Sequence, residues 1–122
     1  MGPVVLDLPW PPSLNRYYRH VGRKVLISRD GRQYREAVAG LMGVRPRQPL
    51  RGRLRMDADL YPPDRRRRDL DNTLKSLQDS LQHAGVFLDD SQIDDLRVRR
   101  RDPAPPAGRA VVRLEELDAA ED

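Results

Sequence analysis

One stretch of the chain concentrates residue types that do chemistry on phosphates: residues 64–75, DRRRRDLDNTLK. Four consecutive arginines, Arg65, Arg66, Arg67 and Arg68, precede Asp69 and Asp71, which have one residue between them. In an extended segment, side chains at i and i+2 point to the same side. Asp69 and Asp71 therefore present two carboxylates together where the chain runs into a helix. Such a pair raises its own proton affinity unless a cation lies between the two groups. Mg²⁺ suits that position, because it takes oxygen ligands from one or two carboxylates and completes its shell with water and substrate phosphate. Lys75 follows Asp71 by four residues, on the same flank of the helix. That spacing serves a routine i, i+4 ion pair, or a cation reaching a phosphate on which negative charge develops. Taken alone, the two aspartates would serve equally as helix caps and the arginines as a solvated run.

Two further constellations stand beside the first. Asp89, Asp90, Asp94 and Asp95 crowd into GVFLDDSQIDD at residues 85–95. A helix over residues 71–84 rises ~20 Å, and an extended chain over residues 84–90 spans up to about 20 Å. The second acidic group can thus return to the start of the helix and add a third carboxylate, or it is a plain acidic turn. Residues 13–24, SLNRYYRHVGRK, interleave basic side chains with aromatics. Arg and Lys serve phosphates, and Tyr stacks on exposed bases or bonds a phosphate through its hydroxyl. Candidate DNA contacts are therefore Asn15, Arg16, Tyr17, Tyr18, Arg19 and Lys24, together with Arg65, Arg66, Arg67 and Arg68. His20 and His83 lack metal-ligand spacing, and no glycine-rich phosphate loop, zinc motif or nucleophile elbow occurs. No nucleotide cofactor is expected.

Composition bounds the rest. The 122 residues fit one domain, expected over residues 1–117 with an acidic tail at 118–122. Cysteine is absent, which excludes disulfides and thiolate metal sites. No apolar run approaches the ~18 residues of a membrane span, and no signal peptide is visible. A soluble, cytoplasmic protein without membrane contact is expected. Residues 1–114 hold all 23 bases and 14 of the 19 acids, and a basic body of this kind suits a polyanion, most often nucleic acid. Of the 23 bases only Lys24 and Lys75 are lysine, so each lysine stands out against a background of arginine.

The elements that must position these groups follow from periodicity. Residues 4–8 read as a strand ended by prolines, 13–23 as a loop or ragged hairpin, and 24–27 as a short strand. Ser28 is a candidate N-cap for a helix to about residue 42, with Tyr34, Val38, Leu41 and Met42 on its apolar side and Gly43, Pro46 and Pro49 closing it. Residues 53–61 alternate strictly, with Leu54, Met56, Ala58 and Leu60 on one face, as in antiparallel sheets. Leu70, Leu74, Leu77, Leu81 and Ala84 form one stripe of a helix over 71–84, with Asp69 or Asp71 as its cap and Gly85 after its end. Residues 94–100 and 109–116 read as strands joined by the DPAPPAG loop, expected to form a hairpin. The order ββαβαββ predicts a small α+β domain, a mixed or antiparallel sheet with two main helices on one face.

Together, LPWPPSLNRYYRH at 8–20, SRDGRQYREAV at 28–38, PDRRRRDLDNTLKSLQDSL at 63–81 and AGVFLDDSQI at 84–93 resemble the RusA family of Holliday junction resolvases. The resemblance implies a homodimer that binds four-way junction DNA and cuts two opposing strands symmetrically with Mg²⁺, or with Mn²⁺ in its place. It implies that the essential carboxylates, which are also the metal ligands, are Asp69, Asp71 and Asp90, and that the catalytic lysine is Lys75. Two positions depart from the family pattern: Leu14 stands where a polar residue is expected, and Phe87 where a Trp is familiar. Two rival readings are a catalytically silent junction- or duplex-binding protein, and a Mg²⁺-dependent nuclease acting on flaps or RNA.

Overall fold

The computed structural model describes residues 2–43 and 48–117. The expected acidic tail at 118–122 and Pro46 lie outside the described residues. In chain order the elements are β1 (Val4–Pro9), α1 (Leu14–Tyr17), β2 (Tyr18–Val21), β3 (Lys24–Ile27), α2 (Arg29–Leu41), β4 (Leu54–Tyr61), a 3-10 turn at Leu70–Thr73, α3 (Leu74–His83), a second 3-10 turn at Asp90–Gln92, β5 (Ile93–Arg100) and β6 (Arg109–Glu116). The expected α+β class and mixed sheet are what form. The ragged segment after the first prolines resolves into one helical turn and a β2–β3 hairpin, with Gly22 at positive φ in its turn.

The main sheet runs β1-β6-β4-β5. Strands β1 and β6, and β6 and β4, pair antiparallel, while β4 and β5 pair parallel. The expected hairpin between the last two strands is therefore incorrect, because β4 lies between them. Crossing one intervening strand means stepping about 10 Å sideways. The proline-rich loop at 102–108 is long enough to do so, and it lacks the Asn-Gly or Asp-Gly turn that would fold β6 straight back on β5. The loop is fastened over the end of β4 by Arg101 N–H to the Leu60 carbonyl and Ala104 N–H to the Pro62 carbonyl, 2.8 Å each. Gly108 has φ +74°, and a Cβ there would strike the Pro63 backbone nitrogen at 2.8 Å. Glycine at this point lets the loop lie flat against residues 61–63 and so fixes where the arginine segment begins.

The alternation along β4 is explained by its central place. Leu54, Met56, Ala58 and Leu60 are buried beneath α2 and α3, in one core with Tyr34, Val38, Leu77, Leu81, Val112 and Leu114. The opposite face of the sheet is a lattice of charge, described below. The β5 edge carries mostly charged, exposed side chains, a composition that discourages pairing with another edge. Ser28 caps α2 as expected, accepting from Gly31 N–H at 2.9 Å. Leu41, assigned to the apolar side of that helix, is instead 56% exposed on its last turn. The helix expected over 71–84 divides: a 3-10 turn carries residues 70–73, and α3 proper starts at Leu74. No described helix is long and apolar enough to cross a membrane.

Candidate active site

Helix α3 is the axis of the site. Its stripe of Leu74, Leu77 and Leu81 packs into the core, which turns Lys75 outward on the neighbouring flank. The Lys75 ammonium donates to Asp90 Oδ2 at 3.2 Å. The i, i+4 pair between Lys75 and Asp71, allowed by spacing, does not form; the acidic loop after the helix supplies the partner instead. The Asp90 hydrogen bond, followed by burial acting the other way, holds the Lys75 pKa above its ordinary value. Lys75 is thus a fixed cation at neutral pH.

Local bonding explains how Asp90 reaches the helix. After α3, Gly85 takes φ +79°, the left-handed conformation that ends a helix without a Cβ penalty. Val86 and Phe87 then insert into the core and anchor the loop. Asp89 caps the second 3-10 turn: its Oδ1 accepts from Ser91 N–H at 2.9 Å, and Gln92 completes a capping box. Those backbone and side-chain bonds from Ser91 pull the Asp89 carboxyl below its ordinary range. Asp90, one residue on, makes no cap, and its N–H donates to Gln82 Oε1 at 3.0 Å on the last turns of α3. The adjacent aspartates therefore divide the work. Asp89 shapes the turn and Asp90 faces Lys75.

Gln92 and Gln82 were not singled out by the sequence reading, yet they hold this loop. Buried Gln92 accepts from Leu88 and Asp89 N–H at 2.8 Å and donates to the Leu50 and Gly52 carbonyls at 2.9 Å. A capping-box pattern, Asp89 followed three residues later by Gln92, was the legible signal.

Asp69 stands at the start of the 3-10 turn and Asp71 lies within it, both exposed. Asp69 occupies the N-cap position but its side chain makes no capping bond, so the expected helix-cap role is corrected. Neither carboxylate forms a hydrogen bond or ion pair with the described residues. Among the described residues, no three acidic or imidazole side chains gather tightly enough to enclose an ion. The donor set is nonetheless all carboxylate oxygen, and its two leading members are exposed and unengaged. That chemistry fits Mg²⁺, which needs only one or two protein carboxylates and otherwise keeps water and phosphate ligands.

The arginine segment is built on Asp64. Its carboxylate accepts from Arg66 N–H at 2.9 Å and pairs with Arg68 at 2.8 Å and with Arg66 at 3.6 Å. The Arg68 hydrogen bond, then the Arg66 backbone, hold the Asp64 carboxyl below its ordinary value. Arg100 donates to the Arg68 carbonyl, and the Arg68 guanidinium lies 5.8 Å from the centre of the Trp10 ring. Arg65 and Arg67 are exposed and form no ion pair with the described residues.

In the 13–24 segment one assignment is corrected. Tyr17 is fully buried, so it offers no face to a base. Its hydroxyl donates to Asp79 and accepts from Arg35 Nε at 2.8 Å, while Arg35 Nη2 pairs with Asp79 at 2.6 Å. Burial first, then Asp79, push the Tyr17 hydroxyl up to about 12, which keeps it a donor at working pH. This cluster ties α1, α2 and α3 together, with Asp79 one turn beyond Lys75. Tyr18 is half-buried, edge-on to Tyr17 with centroids 4.9 Å apart. Asn15, Arg16, Arg19 and Lys24 are exposed, and Arg16 pairs with Asp30 at 3.3 Å.

Comparison with known proteins bears on what this arrangement is for. The family model of endodeoxyribonuclease RusA matches residues 9–115. The chain belongs to the RusA family. Among its relatives, the crossover junction endodeoxyribonuclease of Enterobacteria phage HK97 is 44% identical over 113 residues, covering 92% of this chain and 93% of the relative. That of Escherichia coli strain K12 is 38% identical over 122 residues, covering 96% and 98%. The protein of Enterobacteria phage 82 is 40% identical over 117 residues. The RusA match spans the arginine segment, both 3-10 turns and α3, the parts from which the site is built.

Proposed function

We propose that the chain is a structure-specific endodeoxyribonuclease that resolves four-way (Holliday) junctions by Mg²⁺-dependent phosphodiester hydrolysis, as a homodimer that cuts two opposing strands. The observation that carries this reading is the Lys75–Asp90 pair standing one helical turn beyond two exposed, unengaged aspartates. A structural ion pair needs none of these neighbours. A metal-assisted phosphodiesterase site uses carboxylates beside a cation, and the RusA relatives that share this region are named for junction cleavage.

By the family resemblance Asp69, Asp71 and Asp90 are the residues that would hold the metal, Asp69 and Asp71 being unengaged and Asp90 paired with Lys75. When bound there, Mg²⁺ or Mn²⁺ supplies Lewis-acid polarisation of the phosphate and a more acidic water. The chain's own groups do the rest. Lys75, kept protonated by Asp90, offers an ammonium to the phosphate oxygen on which charge builds up, worth most where water is excluded. Arg65 and Arg67, without acidic partners among the described residues, take backbone phosphates and offset the repulsion between DNA and the carboxylates. Two copies related by a two-fold axis present two such sites, matching the near two-fold symmetry of a junction.

The test is incubation with labelled four-way junction, linear duplex and flap substrates, with Mg²⁺ or with a chelator. Paired nicks in the junction with Mg²⁺ alone are expected. Binding without cutting under every condition would leave a junction-binding module, and a preference for the flap would assign a different nuclease.

A further inference from the structure

The arginine segment borders an open groove of about 560 Å³ that adjoins the catalytic site, since Asp69 also lines it. Residues 65–68 form one wall. Arg100 and Arg101, at the end of β5, form the other, and Trp10 lies against the floor with Thr73. Two features of this groove go beyond a surface that tracks duplex phosphates.

The first is Trp10, the only tryptophan of the chain. It is half-buried, packed on the core from one side and reached by the Arg68 guanidinium on another. At this distance the guanidinium rests on the indole itself as a cation–π contact, and the rest of the ring is the surface on which a base can stack. The second is rigidity. Ser76 donates to the Pro12 carbonyl at 2.6 Å, Tyr34 donates to the Pro9 carbonyl at 2.8 Å, and Arg100 grips the Arg68 carbonyl. The platform and both walls are thus held before any ligand arrives, and the volume is that of a small-molecule site.

Paired duplex hides the faces of its bases, so a duplex laid across this surface meets only the arginines. An unpaired nucleotide meets the indole as well. We propose that the groove takes up one unpaired nucleotide of the branched substrate, its base against Trp10 and its phosphate among the arginines. The proposal rests on the reading that the substrate is branched DNA. It adds Trp10, Arg100 and Arg101 as residues that recognise the branch point rather than cut it. Among the acids lining the groove, Asp64 is engaged by Arg66 and Arg68, while Asp69 and Asp102 have no ion-pair partner among the described residues. Arg65 and Arg67 remain for the phosphate.

Because Trp10 is the sole tryptophan, its emission reports on the groove alone. The intact protein is titrated, in chelator so that no strand is cut, with fluorescein-labelled oligothymidylate, linear duplex and four-way junction. Anisotropy of the label follows binding, and unlabelled copies of the same DNA are used to follow tryptophan emission. Oligothymidylate and junction are expected to change the emission along their anisotropy curves, while duplex binds with little change. Trp10→Ala is expected to weaken oligothymidylate binding at least about fivefold, the low end for one stacked base, and Trp10→Phe to restore most of it. Oligothymidylate and junction that bind while emission stays flat would overturn the groove and leave the nuclease reading intact. Equal emission changes with duplex would overturn base recognition in favour of phosphate contact alone. Absence of binding by any of the three DNAs would overturn both.

Discussion

Two regions of this molecule are rich in arginine, and they use it differently. On the open face of the sheet most arginines of a charge lattice have an acid, Arg97 being the exception among the described residues. Arg55 pairs with Asp95 at 2.9 Å, Arg99 with Asp59 at 3.0 Å and with Asp57 at 3.4 Å, Arg101 with Asp59, and Arg53 with Asp94. In the 65–68 segment one acid, Asp64, serves two arginines, while Arg65 and Arg67 have none among the described residues. The sheet thus spends its charge internally, while the segment keeps charge for a partner. Counting arginines in the sequence does not separate the two; pairing does.

The contrast is sharpest in salt dependence. Replacing both Arg65 and Arg67 by Ala should flatten the slope of log affinity for junction DNA against log salt by about two units, one per lost phosphate contact. At 0.1 M salt that is on the order of a fiftyfold loss of affinity. Arg99→Ala and Arg113→Ala should leave the slope unchanged. A filter-binding series from low to high salt checks both halves. Equal slopes for all variants would dissolve the distinction.

Asp79 lies between the two regimes, an acid matched internally but close to the site. Replacing it by Asn should lower stability by about 2 kcal/mol, as for a hydrogen-bonded charged pair that is largely shielded from water. Burial raises its pKa, but the bonds from Tyr17 and Arg35 outweigh that and leave it below the ordinary 3.8. A depressed carboxylate contributes stability above its unfolded pKa and loses it as pH falls through the folded one. The gap in melting temperature between wild type and Asp79→Asn should therefore be full at pH 7 and shrink below about pH 4. A constant gap would mean that packing, not charge, holds the cluster.

Lys75→Arg asks which regime Lys75 belongs to. If its pairing with Asp90 were structural, Arg would replace it without loss. A guanidinium is broader than an ammonium and cannot be substituted freely beside a compact phosphate site. Single-turnover cleavage should fall at least about tenfold, roughly 1.4 kcal/mol of barrier, with junction affinity little changed. The smallest effect expected is that of Arg113→Ala on stability, within about 0.5 kcal/mol by thermal melting, since exposed pairs contribute little.

Much of this was legible from residues alone. The strict alternation of Leu54, Met56, Ala58 and Leu60 and the stripe through Leu77 and Leu81 located the core, because burial on one face leaves a period in the sequence. Strand order was not legible. The pattern of β6 is the same whether its neighbour is β5 or β4, and only the length and proline content of the 102–108 loop hinted at a crossing. The site was legible in its residue types but not in its partners. Spacing allowed Lys75 to pair with Asp71, and tertiary structure chose Asp90 through Gln82 and Gln92, whose bonds are long-range. Tyr17 and Tyr18 were indistinguishable as neighbours, yet one is a buried donor to Asp79 and the other reaches the surface. Helix and hairpin meet between them, and no local pattern marks that junction.

The account turns on whether the exposed aspartates before α3 do chemistry. Asp71→Asn is nearly isosteric, and the Asp71 side chain bonds to none of the described residues, so fold and DNA binding should survive the change. The direct measurement is single-turnover cleavage of a labelled four-way junction by Asp71→Asn at saturating enzyme with Mg²⁺, with junction affinity measured on the same preparation. Wild-type affinity with cleavage lost is the expected result. An Asp71→Asn protein that binds and cuts the junction at near wild-type rate would contradict it and move the chemistry elsewhere in the molecule.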